Sequence, residues 1–479
     1  MHSHAIEDFH VPSVVTKNLK LNMVSGRSTP KVRVSSNFLP LMGFDEGQRI
    51  ITTPCLDGGF IVRPSDQGDH KIYSRRYNRP RTNKPFEAVM EFANKQLMRT
   101  FPPACERFHV KMRHSDIKIS PIPNRTAAII RRLSGHNPLN ALAAMTGGVD
   151  IHAMESVGMN VDAVIEYRPD EARDVTAGRS LTEINALNTL RNGTPRILMN
   201  EDIYQLDPRM LRKLADEGDP ISIFSAGIQC DDFSRAKGSK AKAKSVEELS
   251  TTVEMIYPTL RAIEELEPML VVIENVPAFG TSPAGDILKT TLRRWGYHIS
   301  EAVMDARDYG GIQSRRRYHL VASVFPGYEH PAPQQRNTNS IWPIVEARLS
   351  ECRDITDSYA ITSPKAAERG GNYITRESTF CPTIIKSQDR LVKDGCYIAD
   401  GGRIYAPSPA LIKDLMSIPQ DEEGFVTSWM AKEQEVELLG QSVDFSMHKA
   451  LMQSIKDHLI ENAGNRTIVR TRQTELFAS

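Results

Sequence analysis

From about residue 139 onward, two patterns of apolar positions alternate along the chain. Short continuous apolar runs at 161–165, 221–225, 269–273 and 317–323 have the length of strands buried on both faces. Helix-like stretches separate them. In 246–266, Leu249, Val253, Ile256, Leu260 and Ile263 recur at helical spacing. An earlier strand ends in Leu142-Ala143-Ala144. Strands alternating with helices predict an α/β fold with a doubly wound parallel sheet. Residues 331–424 break the pattern with Gly, Pro, Ser and short strands, and 431–462 reads as a single helix packing back on the α/β core.

The front of the chain follows another rule. Residues 1–35 are polar and read as an arm. Short strands follow around Gly59–Val62 and Lys71–Tyr73, with glycine turns at a spacing that predicts a small, mostly-β domain such as a β-barrel. Over about 40 residues this stretch looks like the swapped-hairpin barrels of transition-state regulators and SymE-type toxins. Prolines near 120–125 mark a linker. The predicted organisation is an N-terminal accessory domain over 1–125, a catalytic core over 139–330, a short target-recognition and connecting region over 331–424, a C-terminal helix over 425–465 and a tail over 466–479.

Charge sharpens this division. Residues 1–140 carry 22 Lys and Arg against 11 Asp and Glu, whereas the remainder carries 38 against 48. A basic front on an acidic body predicts that the N-terminal domain touches nucleic acid, with Arg75, Arg76, Arg79 and Arg81 as a basic strip. No apolar run approaches 18 residues and no charged-then-apolar leader opens the chain, so neither a membrane span nor a secretory signal is expected. The six cysteines are scattered without a CxxC pair, which disfavours a disulfide framework or a metal module and favours a cytoplasmic protein.

Candidate chemistry concentrates where the strands end. Thr146-Gly147-Gly148 follows the first strand of the α/β region, and glycines there let a ligand approach the backbone. Glu166 lies about 20 residues on, at the end of the next strand, and suits an acid that hydrogen-bonds a ribose. Asp202-Ile203 follows the third apolar run. Cys230 ends the run Ile221–Gly227 and opens a basic loop containing Ser234, Arg235, Lys237 and Lys240, which suits a nucleophile meeting an anionic polymer. Then come Glu274-Asn275-Val276 and Gln313-Ser314-Arg315-Arg316-Arg317.

In this order and at these distances, the three motifs resemble the DNA cytosine-5 methyltransferase family over roughly 139–462. The resemblance implies a Rossmann-like methyltransferase sheet, S-adenosyl-L-methionine as cofactor, and double-stranded DNA as partner in a bacterial or phage-infected cell, near the nucleoid. It gives Cys230 the role of nucleophile at carbon 6 of a flipped cytosine, Glu274 that of acid at the Watson–Crick edge, and Arg315 and Arg317 those of cations holding neighbouring groups. Thr146, Gly147, Gly148, Glu166, Asp202 and Ile203 fall at the family's cofactor positions, and Gln441, Ser442 and Val443 at a later motif that completes the pocket. Gln313 and the loop after Cys230 fall on the DNA side. Ser378–Ile384 resembles the motif closing the target-recognition insert, which leaves only 331–377 for that insert.

Three departures accompany the resemblance. Ala143 stands for a family Phe and Met145 for a family Gly, and Gly227-Ile228-Gln229-Cys230-Asp231-Asp232-Phe233-Ser234 replaces Gly-Pro-Pro-Cys-Gln-x-Phe-Ser. Without prolines the loop is less rigid, and Asp231 and Asp232 disfavour the thiolate. These leave two alternatives: the same fold acting on RNA or transferring an unusual group, and a DNA-binding protein on a catalytically decayed scaffold.

Overall fold

The computed structural model describes residues 9–22, 30–74, 87–102, 105–228, 255–363, 372–392 and 394–464. The chain divides into two compact units, Met1–Ala128 and Ile129–Ser479.

The first unit is built from β1 (Val15–Lys20), β2 (Val32–Ser36), β3 (Arg49–Pro54), β4 (Phe60–Pro64), β5 (His70–Lys71), β6 (Tyr73–Ser74), β7 (Ala88–Phe92), β8 (Arg107–Arg113) and β9 (Asp116–Ile122). They form two sheets, in the orders β1-β8-β9-β4-β3-β5 and β2-β7-β6, with antiparallel pairs throughout. Alternation explains their shared core: Phe108, Val110 and Met112 of β8 are fully buried, as are Phe60 and Val62 of β4 and Phe92 of β7. The mostly-β expectation holds, but the assembly takes in the hairpin β8–β9, beyond the 40-residue stretch that looked like a swapped-hairpin barrel.

The second unit carries a seven-stranded sheet: β10 (Asn140–Ala144), β11 (Asn160–Ile165), β12 (Ile197–Met199), β13 (Ile223–Gly227), β14 (Leu270–Asn275), β15 (His298–Asp305) and β16 (Arg316–Ser323). Their order is β12-β11-β10-β13-β14-β16-β15. The strands from β12 to β14 are parallel, and β16 enters antiparallel between β14 and β15. The doubly wound α/β expectation therefore stands, with one reversed strand. Helices α1 (Val149–Ser156), α2 (Ile184–Asn192), α3 (Pro208–Asp216), α4 (Ile256–Leu266) and α5 (Pro283–Arg294) connect the strands. Of the helical stretch expected from 246, residues 246–254 lie outside the described residues.

A four-stranded sheet, β17 (Arg353–Asp354), β18 (Asn372–Ile374), β19 (Cys396–Asp400) and β20 (Arg403–Ala406), follows with its own core. That core joins Val149 and Ala153 of α1 to Ile341, Ile384, Leu411 and Phe425. The single helix expected over 431–462 is two helices, α6 (Lys432–Gln441) and α7 (Phe445–Leu459). Ser442 turns extended, and the Asp444 side chain accepts from Met447 N at 3.1 Å, so a new N-cap starts α7. Among the described residues, no helix is long and apolar enough to cross a membrane.

Candidate active site

A ligand crevice in a sheet of this kind lies beyond the carboxyl ends of its first and fourth strands, where the chain switches direction across the sheet. Here those ends nearly touch. A Cβ added to Gly227, at the end of β13, would stand 2.9 Å from Met145 O, just past β10. Met145 itself has φ 60°, so a side chain occupies a left-handed position that glycine fills without strain. Gly147 follows with φ 71°, and a Cβ there would meet nothing within 4 Å, so the loop faces open space. Gly147 O accepts from Asn188 Nδ2 on α2 at 2.9 Å, which braces the loop from outside.

Glu166 closes this half of the crevice. It is 1% exposed and accepts from Gly147 N at 2.6 Å, Thr146 N at 2.5 Å and Thr146 Oγ1 at 3.2 Å, with a further bond from Asn185. Burial pushes its pKa up, and the four donors oppose that by favouring the anion. Asp150, in the first turn of α1, is also buried; desolvation raises it to about 7 against a hydrogen bond from Thr146. Asp202 is half-buried and accepts from Tyr204 N at 3.0 Å, while Ile203 enters the core. Gln441 lines a cleft with Asn185, Ile184 and Arg168. Ser442 and Val443 are buried beside it.

The other half forms at β13, β14 and β16. Gly227 pairs with Glu274 in parallel register, and Asn275 Nδ2 donates to Ile228 O at 2.9 Å. The chain therefore leaves β13 toward Cys230 directly beside Glu274. The antiparallel register sets Glu274 opposite His319 on β16, so Arg317 lies one diagonal step away on the same face. Arg317 Nε meets Glu274 Oε1 at 2.9 Å, with 17% of the Glu274 side chain exposed. Burial drives the Glu274 pKa up, and Arg317 and Arg315 only partly oppose it.

The other predicted residues fall differently. Arg315 is fully buried and donates to three backbone carbonyls, those of Ile384 (2.8 Å), Gly440 (3.2 Å) and Ser442. It frames the pocket, while its charge also opposes the rise in the Glu274 pKa. Gln313, expected on the DNA side, is fully buried and bridges in parallel to Cys381. Its position between two backbone segments keeps it off the surface in this conformation. Cys230, Ser234, Arg235, Lys237 and Lys240 lie outside the described residues, as do Arg75, Arg76, Arg79 and Arg81. The structure adds Asp150, Asn185 and Asn188, which the sequence reading missed. Two buried asparagines three residues apart on one helix were the available signal.

Comparison with known proteins agrees with this geometry. The model of the C-5 cytosine-specific DNA methylase family matches residues 143–390, more than half of the chain, and the chain belongs to that family. It is 32% identical over 116 residues to the type II methyltransferase M.MspI of Moraxella sp., covering 23% of this chain and 27% of that protein. To M.NlaX of Neisseria lactamica it is 28% identical over 188 residues, covering 37% and 57%. The chain thus spans between about a quarter and somewhat over half the length of these curated relatives. In fold, it is similar to the Entamoeba histolytica methyltransferase EhMeth, with a TM-score of 0.52 at 15% identity over 67% of this chain and 98% of that one.

Proposed function

We propose that the protein methylates carbon 5 of cytosine in double-stranded DNA, through a covalent bond between Cys230 and carbon 6 of a flipped base. The observation that carries this is Glu274, paired with Arg317 at the end of β14, beside the point where the chain leaves β13 toward Cys230. A carboxyl whose pKa burial has raised holds its proton to higher pH than an exposed one, the direction a donor to ring N3 requires. With N3 protonated, the Cys230 thiolate adds to carbon 6 and carbon 5 becomes an enamine nucleophile. Arg317 holds the Glu274 carboxyl toward the base. Once carbon 5 has taken the methyl group, loss of its proton to a base, elimination of the thiolate and return of the N3 proton to Glu274 restore the aromatic ring.

The residues across the crevice fit S-adenosyl-L-methionine. Glu166 is a buried acceptor for a ribose diol, Gly147 faces open space, and Gln441 lines a cleft with Asn185, which also donates to Glu166. When bound there, the cofactor supplies an electrophilic methyl group to carbon 5. Arg315 acts as a positioning residue, tying β16 to the segment over Gly440–Ser442.

The test is incubation of the full chain with labelled S-adenosyl-L-methionine and duplex DNA, then nucleoside mass spectrometry. Labelled 5-methylcytosine is expected in DNA, and Cys230→Ala is expected to fall below about 1% of the parent rate while DNA binding persists. Label on RNA cytosine alone would move the reading to the RNA alternative. No transfer to either, with DNA binding retained, would favour the decayed scaffold.

A further inference from the structure

The hairpin β8–β9 and its neighbour β1 present one solvent-facing side whose charges are badly matched for a surface that only meets water. Inward positions of β8 are apolar, so Arg107, His109, Lys111 and Arg113 point the other way. Directly opposed residues of antiparallel strands share a face. The register therefore sets Lys20 of β1 against Arg107, Lys118 of β9 against Lys111, and Arg113 against Asp116, a carboxylate already paired with Arg63. Like charges directly opposed are unfavourable.

Two cations of this face are neutralised. Arg63 pairs with Asp116 at 2.7 Å and Lys118 with Asp57 at 2.7 Å. Among the described residues, no carboxylate pairs with Lys20, Arg107, Lys111 or Arg113. Arg107 to Arg113 spans about 20 Å at ~3.4 Å per residue. The named outward residues include no Phe, Tyr or Trp, and aromatic rings are the usual platform for unstacked bases. Regularly spaced cations without such a platform suit the phosphates of a stacked duplex.

We propose that the outward face of β1, β8 and β9 is a duplex-DNA backbone site, with Lys20, Arg107, Lys111 and Arg113 each meeting phosphate. Its residues are other than those of the predicted Arg75–Arg81 strip and of the crevice. It rests on the reading that duplex DNA is the substrate. It reads no sequence; it lowers the rate at which the protein leaves DNA and adds a salt-sensitive share to affinity.

The test compares full-length parent with the full-length variant Lys20→Thr/Arg107→Thr/Lys111→Thr/Arg113→Thr, since threonine preserves strand propensity. Anisotropy on a labelled DNA duplex of about 25 base pairs is measured across about 50–200 mM salt. The log–log salt slope is expected to flatten by about 3–4, near 0.9 per phosphate contact, with Kd at about 100 mM raised at least tenfold. Swapping Lys for Arg and Arg for Lys at the four positions is expected to preserve the parent slope. If circular dichroism shows the quadruple variant unfolded, the four single variants decide, each expected to remove about one unit of slope. An unchanged slope and Kd, or a loss confined to duplex RNA, overturns the proposal. These binding measurements stand apart from the product assay: absence of 5-methylcytosine sinks the catalytic reading, whereas an unaltered slope sinks only this site.

Discussion

Glu166 and Glu274 stand at the two halves of one crevice, both with pKa values raised by burial, yet their partners differ in kind. Glu166 accepts from two backbone amides, a hydroxyl and an asparagine, all neutral and fixed by β10, α1 and α2. Such a cradle opposes the effect of burial and favours the anion, as an acceptor for hydroxyl groups should. Glu274 has a guanidinium on a long side chain and a 17% opening toward solvent. A single cation on one side leaves a carboxyl able to take up and release a proton. Burial alone therefore does not assign a role to an acid; the stiffness and charge of its partners do.

The sharpest way to break this comparison is to neutralise each acid. Glu274→Gln should lower the single-turnover rate about 100-fold or more, with cofactor Kd nearly unchanged. The parent rate should also fall as pH rises through the raised Glu274 pKa, because the protonated form acts, and the variant should lose that limb of the profile. Equal pH profiles for parent and variant would remove Glu274 from proton transfer. Arg315→Met should cost about 3 kcal/mol of stability by stranding buried carbonyls, whereas Arg317→Met should leave melting nearly unchanged and reduce turnover. Similar melting temperatures for the two variants would erase the distinction between frame and site.

Glu166→Ala should weaken S-adenosyl-L-methionine binding by about 10-fold or more in calorimetry while sparing DNA affinity. A further prediction concerns Asp150 and is read in stability alone. Its pKa is about 3.8 unfolded and about 7 folded, so between those values the folded state holds the extra proton. The stability it contributes is complete below about pH 4 and is lost as pH rises to about 7. Asp150→Asn should flatten that decline by about 1–4 kcal/mol, as followed by denaturant melts at several pH values. A residual slope of the same sign should remain from Asp444, also raised to about 7 by burial.

Much of the crevice was legible because its residues sit where periodic runs end. The strands over 161–165, 269–273 and 317–323 were readable as apolar runs, and Glu166 and Glu274 follow from their last residues. The antiparallel entry of β16 was not, because an apolar run carries no direction. Arg315 and Arg317 are two residues apart and chemically alike. Only the long-range carbonyls of Ile384, Gly440 and Ser442 separate a frame residue from one beside the acid. The break between α6 and α7 was signalled by Ser442 and Asp444, good capping residues that the apolar spacing on either side concealed.

The three carbonyls held by Arg315 also bear on how the protein is made. β16 finishes its pocket with residues up to Ser442, over 120 positions later in the chain. At ~5–20 residues per second, the ribosome needs on the order of 10 s to supply them. During that interval the nascent sheet carries a guanidinium whose last partners do not yet exist. The crevice therefore matures late in synthesis.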